Sequence, residues 1–163
     1  MSDTNSVRKL RVAIGSDHAG FPLKEEITNA LRDDGYDIED LGTYSIESVD
    51  YPDIALTVAG EVASGRFDRG ILVCGTGIGV TITANKVNGI RAAVVSDTFS
   101  ARMSRAHNDA NILGMGGRVV GPGLALEIAK AFLDTDFEGG VRHERRVNKI
   151  NALDKCGEEC VGN

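Results

Sequence analysis

A cysteine at the end of an apolar run stands directly before a glycine-rich turn. Gly75, Gly77 and Gly79 follow Cys74 closely, and a segment that reads as a helix comes next. At a helix N-terminus, free backbone N–H groups stabilise negative charge, including that of a thiolate. The pattern therefore predicts a general base, Cys74, beside an anion hole formed by residues 75–79.

The glycine turn does not match the common nucleotide-binding motifs. Its spacing differs from the Gly-x-Gly-x-x-Gly fingerprint, and no Gly-Lys-Ser or Gly-Lys-Thr closes it, since Lys86 lies a helix length away. A lone cysteine at a strand end is more commonly a small buried apolar residue. The neighbouring glycines, which expose backbone amides, favour the catalytic interpretation of Cys74.

Two polar residues follow the first predicted strand. Asp17 and His18 stand between Gly15 and Gly20, and glycines allow the backbone to approach a ligand closely. Taken alone, the pair is more typical of an Asp that caps a turn and a His on the surface. The flanking glycines favour a place in a binding site.

Further candidates lie in the second half of the chain. His107 and Asn108 end a predicted helix, where a histidine either interacts with the helix dipole or acts as an acid and base, because imidazole titrates near neutral pH. Arg118 follows two glycines and is, by itself, typical of a solvated surface charge. Its place after the fifth predicted strand makes Arg118 a further candidate for ligand binding.

The C-terminal segment, residues 141–163, begins with a basic stretch in an otherwise acidic chain. Arg142 and Arg146 stand four residues apart and therefore share one face of a predicted helix. Val147 and Ile150 provide an apolar ridge on that helix. We expect the helix to dock on a neighbour and to offer two guanidinium groups to one phosphate.

Composition limits the range of functions. The chain has 163 residues and a formal net charge of −6, which favours one domain over residues 1–163 and argues against general binding to nucleic acids or membrane surfaces. The polar segment 1–9 lacks a secretory signal, and no stretch approaches about 18 apolar residues, so we expect a cytoplasmic protein. Cys156 and Cys160 complete neither a disulfide framework nor a zinc set and are expected to be incidental thiols.

Short apolar runs alternate with segments of helical periodicity. This alternation predicts a three-layer, doubly wound, Rossmann-like α/β domain with a mainly parallel sheet of about five strands and a C-terminal helix. Ligands bind such sheets at the carboxyl ends of the strands, so the loops after Ile14, Cys74, Val95 and Met115 are expected to converge on one cleft. The predicted strands are 10–15, 37–41, 69–74, 90–96 and an interrupted edge strand, 111–115 with 118–120; the predicted helices are 21–31, 51–64, 78–87, 98–107, 124–133 and 141–154.

Several motifs, taken together and in order, resemble those of the type B ribose-5-phosphate isomerase family. That family also includes galactose-6-phosphate and allose-6-phosphate isomerases, and the resemblance runs from about Leu10 to Leu153. The motifs are Gly15-Ser-Asp-His-Ala-Gly20, Asp50-Tyr-Pro-Asp53, Cys74-Gly-Thr-Gly-Ile-Gly79, Ala84-Asn-Lys86, Gly89-Ile-Arg-Ala92, His107-Asn-Asp-Ala-Asn111 and Arg142-His143 through Arg146.

The resemblance implies an aldose–ketose isomerase without cofactor or metal, which interconverts ribose 5-phosphate and ribulose 5-phosphate of the pentose phosphate pathway through a cis-enediolate. It also implies a homodimer or a dimer of dimers with sites at the subunit interface. The implied catalytic residues are Cys74, which moves the proton between C1 and C2, Thr76, which assists transfer between the oxygens, His107, which opens the furanose ring, and Asp17, near the ring oxygen. The implied substrate-binding residues are Gly75, Gly77, Ile78 and Gly79 for the enediolate, Asn108 for sugar hydroxyls, and His18, Arg118, Arg142 and Arg146 for the phosphate, part of this last set coming from the partner subunit.

Two departures from the family pattern and two other functions stay open at this point. Val141 stands between the glycine pair and Arg142, where many relatives pass directly to Arg-His, and Tyr44 lies where relatives place an aromatic or a small residue. The substrate is alternatively allose 6-phosphate, galactose 6-phosphate or a tetrulose 4-phosphate. The remaining alternative is a flavodoxin-like module that binds sugar phosphate without catalysis.

Overall fold

The computed structural model describes residues 9–154, in which strands and helices largely alternate. The strands are β1 (Arg11–Ser16), β2 (Asp37–Asp40), β3 (Arg69–Cys74), β4 (Ala92–Val94) and β5 (Ile112–Gly116). The helices are α1 (Phe21–Asp33), α2 (Tyr51–Ala63), α3 (Ile78–Ala84), α4 (Thr98–Asn108), α5 (Pro122–Leu133) and α6 (Gly140–Leu153). Cys156 and Cys160 lie outside the described residues.

All strands pair in parallel, in the order β2-β1-β3-β5-β4. The three inner strands, β1, β3 and β5, are buried almost throughout, which explains why they read as continuous apolar runs. From β1 the chain moves to β2 on one side, and from β3 it moves to the other side. The strand order therefore reverses between β1 and β3, and the predicted doubly wound, Rossmann-like α/β fold is confirmed.

Helices cover both faces of the sheet. On one face, α1, α4 and α5 enclose a core that includes Leu31, Ile71 and Phe132. On the other face, α2 and α3 pack around Val58 and Val80. The last helix, α6, packs against α4. Within residues 9–154, none of the helices combines the length and the apolar character needed to cross a bilayer.

The prediction of an interrupted edge strand at 111–120 is wrong. β5 lies inside the sheet, between β3 and β4, and residues 118–120 form a turn in which Val119 N–H donates to the carbonyl of Gly116 at 2.9 Å. Gly114 and Gly116 weakened the strand pattern. A Cβ at Gly114 would collide with the hydroxyl of Thr81, and one at Gly116 would lie 2.8 Å from the carbonyl of Thr76. These glycines permit a close approach rather than ending a strand.

Other bounds differ from prediction by a few residues. β4 starts only at Ala92, because Ile90 N–H donates to Val87 in a turn and Arg91 N–H donates to the Asn111 side chain at 2.8 Å. α3 ends at Ala84 rather than at Val87. α5 starts at Pro122 instead of residue 124, since proline is favoured in the first turn of a helix.

Gly20, where the chain enters α1, permits a close contact with β3. A Cβ at this position would collide with the carbonyl oxygen of Val73 and lie 2.9 Å from the amide nitrogen of Cys74. We predict that Gly20→Ala lowers the free energy of unfolding by about 1–3 kcal/mol, because the backbone must shift. Urea unfolding measures this as a lower midpoint with an unchanged m-value.

Gly60→Ala is the matched control. Gly60 lies inside α2, and a Cβ added there would have no atom within 4 Å, so an added methyl group meets open space. Alanine is the better helix former, and this variant is expected to gain up to about 1 kcal/mol. Equal effects of the two substitutions would contradict the role assigned to Gly20.

Candidate active site

A cleft of about 500 Å³ lies at the carboxyl ends of β1, β3 and β5. It stands where the strand order reverses, the usual ligand position in this fold class. The loop after β4 lines a neighbouring cavity of about 460 Å³ that shares Thr76 and Ile78 with the cleft, so three of the four expected loops converge. The cleft is lined by Asp17, His18, Ala19, Tyr51, Cys74, Gly75, Thr76, Ile78, Gly79, Ile82 and Arg118.

Cys74 is the last residue of β3 and lines the cleft with only 5% of its surface exposed. The backbone N–H of Gly77 donates to its Sγ at 3.1 Å. This contact needs a turn in which Gly77 adopts a φ of 79°, and a Cβ there would lie 2.7 Å from the backbone of Met115. The glycine turn therefore fixes the sulfur at the edge of the cleft.

The N–H groups of the glycine turn divide into two sets. Those of Gly77 and Ile78 already donate within the turn, to Cys74 Sγ and, at 3.3 Å, to Thr76 Oγ1. The N–H of Gly79 belongs to the first turn of α3 and has no acceptor within the helix. The anion hole expected at residues 75–79 stays a prediction, and the N–H of Gly79 is one donor that the helix leaves for it.

Asp17 and His18 follow β1 and have defined partners. Asp17 is buried, and its Oδ1 accepts the N–H of Gly20 at 2.9 Å. The Nδ1 of His18 accepts the N–H of Val49 at 3.3 Å, so the neutral ring carries its proton on Nε2. His18 thus keeps one donor for a ligand in the cleft.

Arg118 brings a positive charge to the cleft. Its backbone N–H donates to the carbonyl of Gly75 at 3.0 Å, which holds the turn after β5 against the glycine turn. The side chain is exposed, and among residues 9–154 no carboxylate forms an ion pair with it. An unpaired guanidinium in a cleft is suited to bind an anion.

Sequence reasoning did not assign a role to Tyr51. The first residue of α2, it lines the cleft and packs against Gly79, where a Cβ would lie 2.7 Å from the tyrosine ring. The available signal was the Asp50-Tyr-Pro-Asp53 motif, which marks a helix start through proline but says nothing of the direction in which the ring points.

His107, Asn108, Arg142 and Arg146 do not line this cleft. α4 runs back along the sheet from the carboxyl end of β4, so its last residues lie at the amino ends of the strands. There the carbonyl of Asn111 accepts the N–H of Gly70 at 2.9 Å. Since β3 rises about 3.3 Å per residue, its two ends lie about 16 Å apart. Within one chain, the predicted site residues thus form two separate groups.

The second group is built around two stacked imidazole rings. His107 and His143 have ring centroids 4.5 Å apart and an interplanar angle of 6°. Glu138 Oε2 lies 3.8 Å from Nε2 of His107 and 4.0 Å from Nε2 of His143. Burial lowers the pKa of His143, and the positive charges of His107 and Arg142 lower it further against the opposing effect of Glu138.

Arg142 and Arg146 remain on one exposed face of α6. The extra Val141 lies inside the first turn of the helix, so it does not disturb their spacing of four residues. The end of α4 is held by Asp109, which has a φ of 47° and forms ion pairs with Arg105 at 2.7 Å and Arg91 at 3.2 Å. The helices α4 and α6 pack together and present one polar surface.

His107, Glu138 and His143 also offer ligand atoms within 4.8 Å of one another. A metal ion lies close to the plane of each imidazole ring that binds it. Two stacked, nearly parallel rings have no common in-plane point at the 2.0–2.1 Å or so that zinc requires. The arrangement fits a stacked pair with a carboxylate partner better than a metal centre.

The lowered pKa of His143 generates a prediction for stability. In the unfolded chain a histidine has a pKa of about 6.5, so the unfolded state binds the proton more readily and acidification below about pH 7 favours unfolding. We expect His143→Gln to lose less stability than the wild type between about pH 7.5 and 5.5. Urea midpoints at the two pH values measure this difference, and an equal or larger loss in the variant would contradict it.

Known proteins match this chain over almost its whole length. Residues 12–150 match the model of the Ribose/Galactose Isomerase family. Ribose-5-phosphate isomerase B of Escherichia coli (strain K12) is 50% identical over 145 residues, which are 89% of this chain and 97% of that protein. D-erythrulose-4-phosphate isomerase of Pectobacterium atrosepticum is 50% identical over 135 residues, 80% of this chain and 87% of that protein.

A solved structure agrees with these matches. The ribose-5-phosphate isomerase B of Clostridium thermocellum has a TM-score of 0.87 and 55% sequence identity, over 90% of this chain and 98% of that chain. The family match starts in β1 and ends in α6, so it includes the cleft and the polar surface of α4 and α6. The chain belongs to the ribose/galactose isomerase family.

Proposed function

We propose that the protein interconverts ribose 5-phosphate and ribulose 5-phosphate. The observation that carries the proposal is the sulfur of Cys74 at the edge of a cleft, with the N–H of Gly77 3.1 Å away. Isomerases of ribose 5-phosphate from Escherichia coli and Clostridium thermocellum match the chain at 50% and 55% identity. These two relatives support a pentose as the substrate.

Transfer of a proton between neighbouring carbons needs a base on one side and fixed donors for the oxygens on the other. In the proposed reaction, Cys74 takes the proton from C2 of the aldose and returns it to C1. Thr76 moves a proton between O2 and O1, and the N–H groups of Gly75 and Gly79 stabilise the enediolate. One carbon is oxidised while its neighbour is reduced, so the reaction needs no redox cofactor.

The phosphate anchors the sugar from a distance. His18 and Arg118 offer donors from the cleft itself, at the carboxyl ends of β1 and β5. Binding energy from a remote phosphate can orient the reacting carbons. Arg142 and Arg146 complete the proposed phosphate set, and neither has a carboxylate partner among the ion pairs within residues 9–154.

The separation of the two groups within one chain supports a homodimer with shared sites. Exposed apolar residues surround the cleft: Ile78 and Ile82 line it, and Val94 and Val119 line the adjoining cavity. Such a surface fits a second copy. In a two-fold dimer each copy both gives and receives the same residues, so the partner subunit would place His107, Asn108, Arg142 and Arg146 over the cleft.

In this dimer the ring-opening residues also come from both copies. Asp17 belongs to the cleft, where its Oδ1 accepts the N–H of Gly20, and its carboxylate would lie near the sugar ring oxygen. The partner's contribution would be His107 as the acid and base for ring opening and Asn108 as a partner for the hydroxyls. A dimer of dimers would contain the same unit. We place the reaction in the cytoplasm, as expected from the sequence.

A second candidate function is isomerisation of a different sugar phosphate. It is favoured by the Pectobacterium atrosepticum relative, which is named for D-erythrulose 4-phosphate and is as similar as the Escherichia coli protein, at 50% identity. The same base and anion hole would serve either sugar, since only the distance between the phosphate and the reacting carbons changes.

A panel assay in deuterium oxide tests the proposed function. Ribose 5-phosphate, allose 6-phosphate, galactose 6-phosphate and erythrulose 4-phosphate are compared by kcat/KM, and deuterium incorporation next to the carbonyl is followed by NMR. We expect ribose 5-phosphate to give the highest kcat/KM and to acquire deuterium. A higher value for another sugar selects the second candidate, and binding without deuterium uptake selects a non-catalytic module.

Cys74→Ala tests the assignment of the base. Loss of a positioned acid or base costs about 10²–10⁴-fold in rate, so we predict a fall of this size in kcat with little change in the Kd of ribulose 5-phosphate. Single-turnover kinetics and calorimetric titration measure the two quantities. Cys156→Ala, which removes a thiol of the C-terminal segment, is the matched control and should retain wild-type turnover.

Mixing two inactive variants tests the shared site. Cys74→Ala and His107→Asn are each expected to be inactive, but a mixed dimer contains one intact site of its two. Random exchange makes half of the dimers mixed, so about a quarter of wild-type activity should return. Subunit exchange is started by brief mild denaturation and followed in the ribose 5-phosphate assay. Failure to recover activity, with mixed dimers verified by mass spectrometry, would place both residues in one chain's site.

A further inference from the structure

Lys24 carries an ammonium group that is completely buried. It lies on α1, one turn after the Asp17–His18 loop, and its side chain has 0% exposure. Nζ lies 2.7 and 2.6 Å from the two carboxylate oxygens of Asp40 and 2.5 Å from the carbonyl of Thr43. An ion pair of this kind is costly to desolvate, so its net contribution to stability is small. The pair is therefore better explained by the segment that it holds in place.

The partners of Lys24 belong to the segment that follows β2. Gly42 N–H donates to Asp40 Oδ1 at 2.9 Å, so the carboxylate also fixes the start of this segment. Thr43 N–H donates to the carbonyl of Ser16 at 2.8 Å, and Ser16 N–H donates to the carbonyl of Gly42 at 2.7 Å. Lys24 thus ties the segment to α1 at the place where the segment pairs with the last residue of β1.

The same segment continues to His18. Beyond Thr43, the N–H of Val49 donates to Nδ1 of His18 at 3.3 Å. This bond selects the tautomer with the proton on Nε2, the nitrogen that remains for a ligand. The orientation of the donor in the cleft therefore depends on the position of the segment from Thr43 to Val49.

We propose that Lys24 is a positioning residue, which holds the 43–49 segment so that Val49 fixes His18 as an Nε2–H donor for the phosphate of the substrate. The assignment of His18 to the phosphate rests on the proposed function. The hydrogen bonds of Lys24 to Asp40 and Thr43, and that of Val49 to His18, do not depend on any ligand.

Tyr44, whose role the sequence left open, completes the arrangement. Its ring and that of Phe21 lie on the buried ammonium, each with its centroid 5.2 Å from Nζ. Although Tyr44 is 71% exposed, its hydroxyl donates to the carbonyl of Asp40 at 3.0 Å. Tyr44 therefore covers the ion pair and does not line the cleft, and its ring forms a cation–π contact with the ammonium of Lys24.

Imidazole NMR on the full-length protein tests the proposal directly. The chain contains only three histidines, so their ring nitrogens can be assigned by comparison with single substitutions. In Lys24→Met we expect the Nδ1 resonance of His18 to move toward that of a ring exchanging between tautomers, while His107 and His143 keep their shifts. Lys130→Met, which removes a surface lysine paired with Asp34 at 2.6 Å, is the matched control and should leave all three rings unchanged.

Steady-state kinetics add a functional readout. We expect Lys24→Met to raise the KM for ribose 5-phosphate about tenfold, the equivalent of one hydrogen bond to a charged group, with kcat within about twofold of wild type. Asp40→Asn keeps an acceptor for Gly42 and Lys24 and should change both readouts in the same direction by less. It serves as the second variant if Lys24→Met does not fold.

The outcomes distinguish failure of the positioning role from failure of the proposed function. A folded Lys24→Met with an unchanged His18 ring overturns the positioning role, whatever the kinetics. A changed ring with an unchanged KM overturns it as well, because His18 then does not hold the phosphate. Absence of isomerase activity in the wild type, with the expected NMR change in the variant, refutes the proposed function while the structural link from Lys24 to His18 stands.

Discussion

The close approach of the glycine turn to β5 is the constraint on which the cleft depends. Gly77 lies against the backbone of Met115, and Gly114 and Gly116 leave no room for any Cβ beneath Thr81 and Thr76. Only in this position does the N–H of Gly77 reach the sulfur of Cys74. Glycine lowers the intrinsic strand preference of β5. β5 forms despite this lower preference because β3 and β4 pair with it on both sides.

The parallel topology explains why the polar residues form two groups. Loops that follow strands gather at one end of the sheet, whereas the ends of the returning helices gather at the other. A chain of this fold cannot unite a strand-end thiol with a histidine at the end of a crossover helix. In the proposed dimer a second copy would bring the two together, and the exposed apolar residues around the cleft would offer it a surface. In that dimer, assembly would be a requirement for catalysis.

The sequence was sufficient for the features that depend on local pattern. Apolar periodicity predicted the element order, and the glycine spacing after Cys74 predicted the turn and its place at the ligand end of the sheet. β5 was misread because its glycines make room for Thr81 of α3 and Thr76 of the glycine turn, which approach the strand only in the folded state. Lys24 reads as an ordinary helix lysine, since its burial requires Asp40 and Tyr44, which become neighbours only through the β1–β2 pairing. Long-range contacts of this type leave no periodic signal.

Buried cations hold the backbone at both ends of the sheet. Arg105 is 1% exposed and, besides Asp109, binds the carbonyls of Ala110 at 2.6 Å and Thr135 at 3.2 Å, as Lys24 binds that of Thr43. An apolar side chain of equal volume would avoid the desolvation cost, but it would leave those carbonyls without a donor. Both cations therefore add little net stability, but they fix the direction of the loops whose carbonyls they bind. The first segment continues to His18, and the second follows the helix end that carries His107, so both halves of the proposed site would be oriented before any ligand binds.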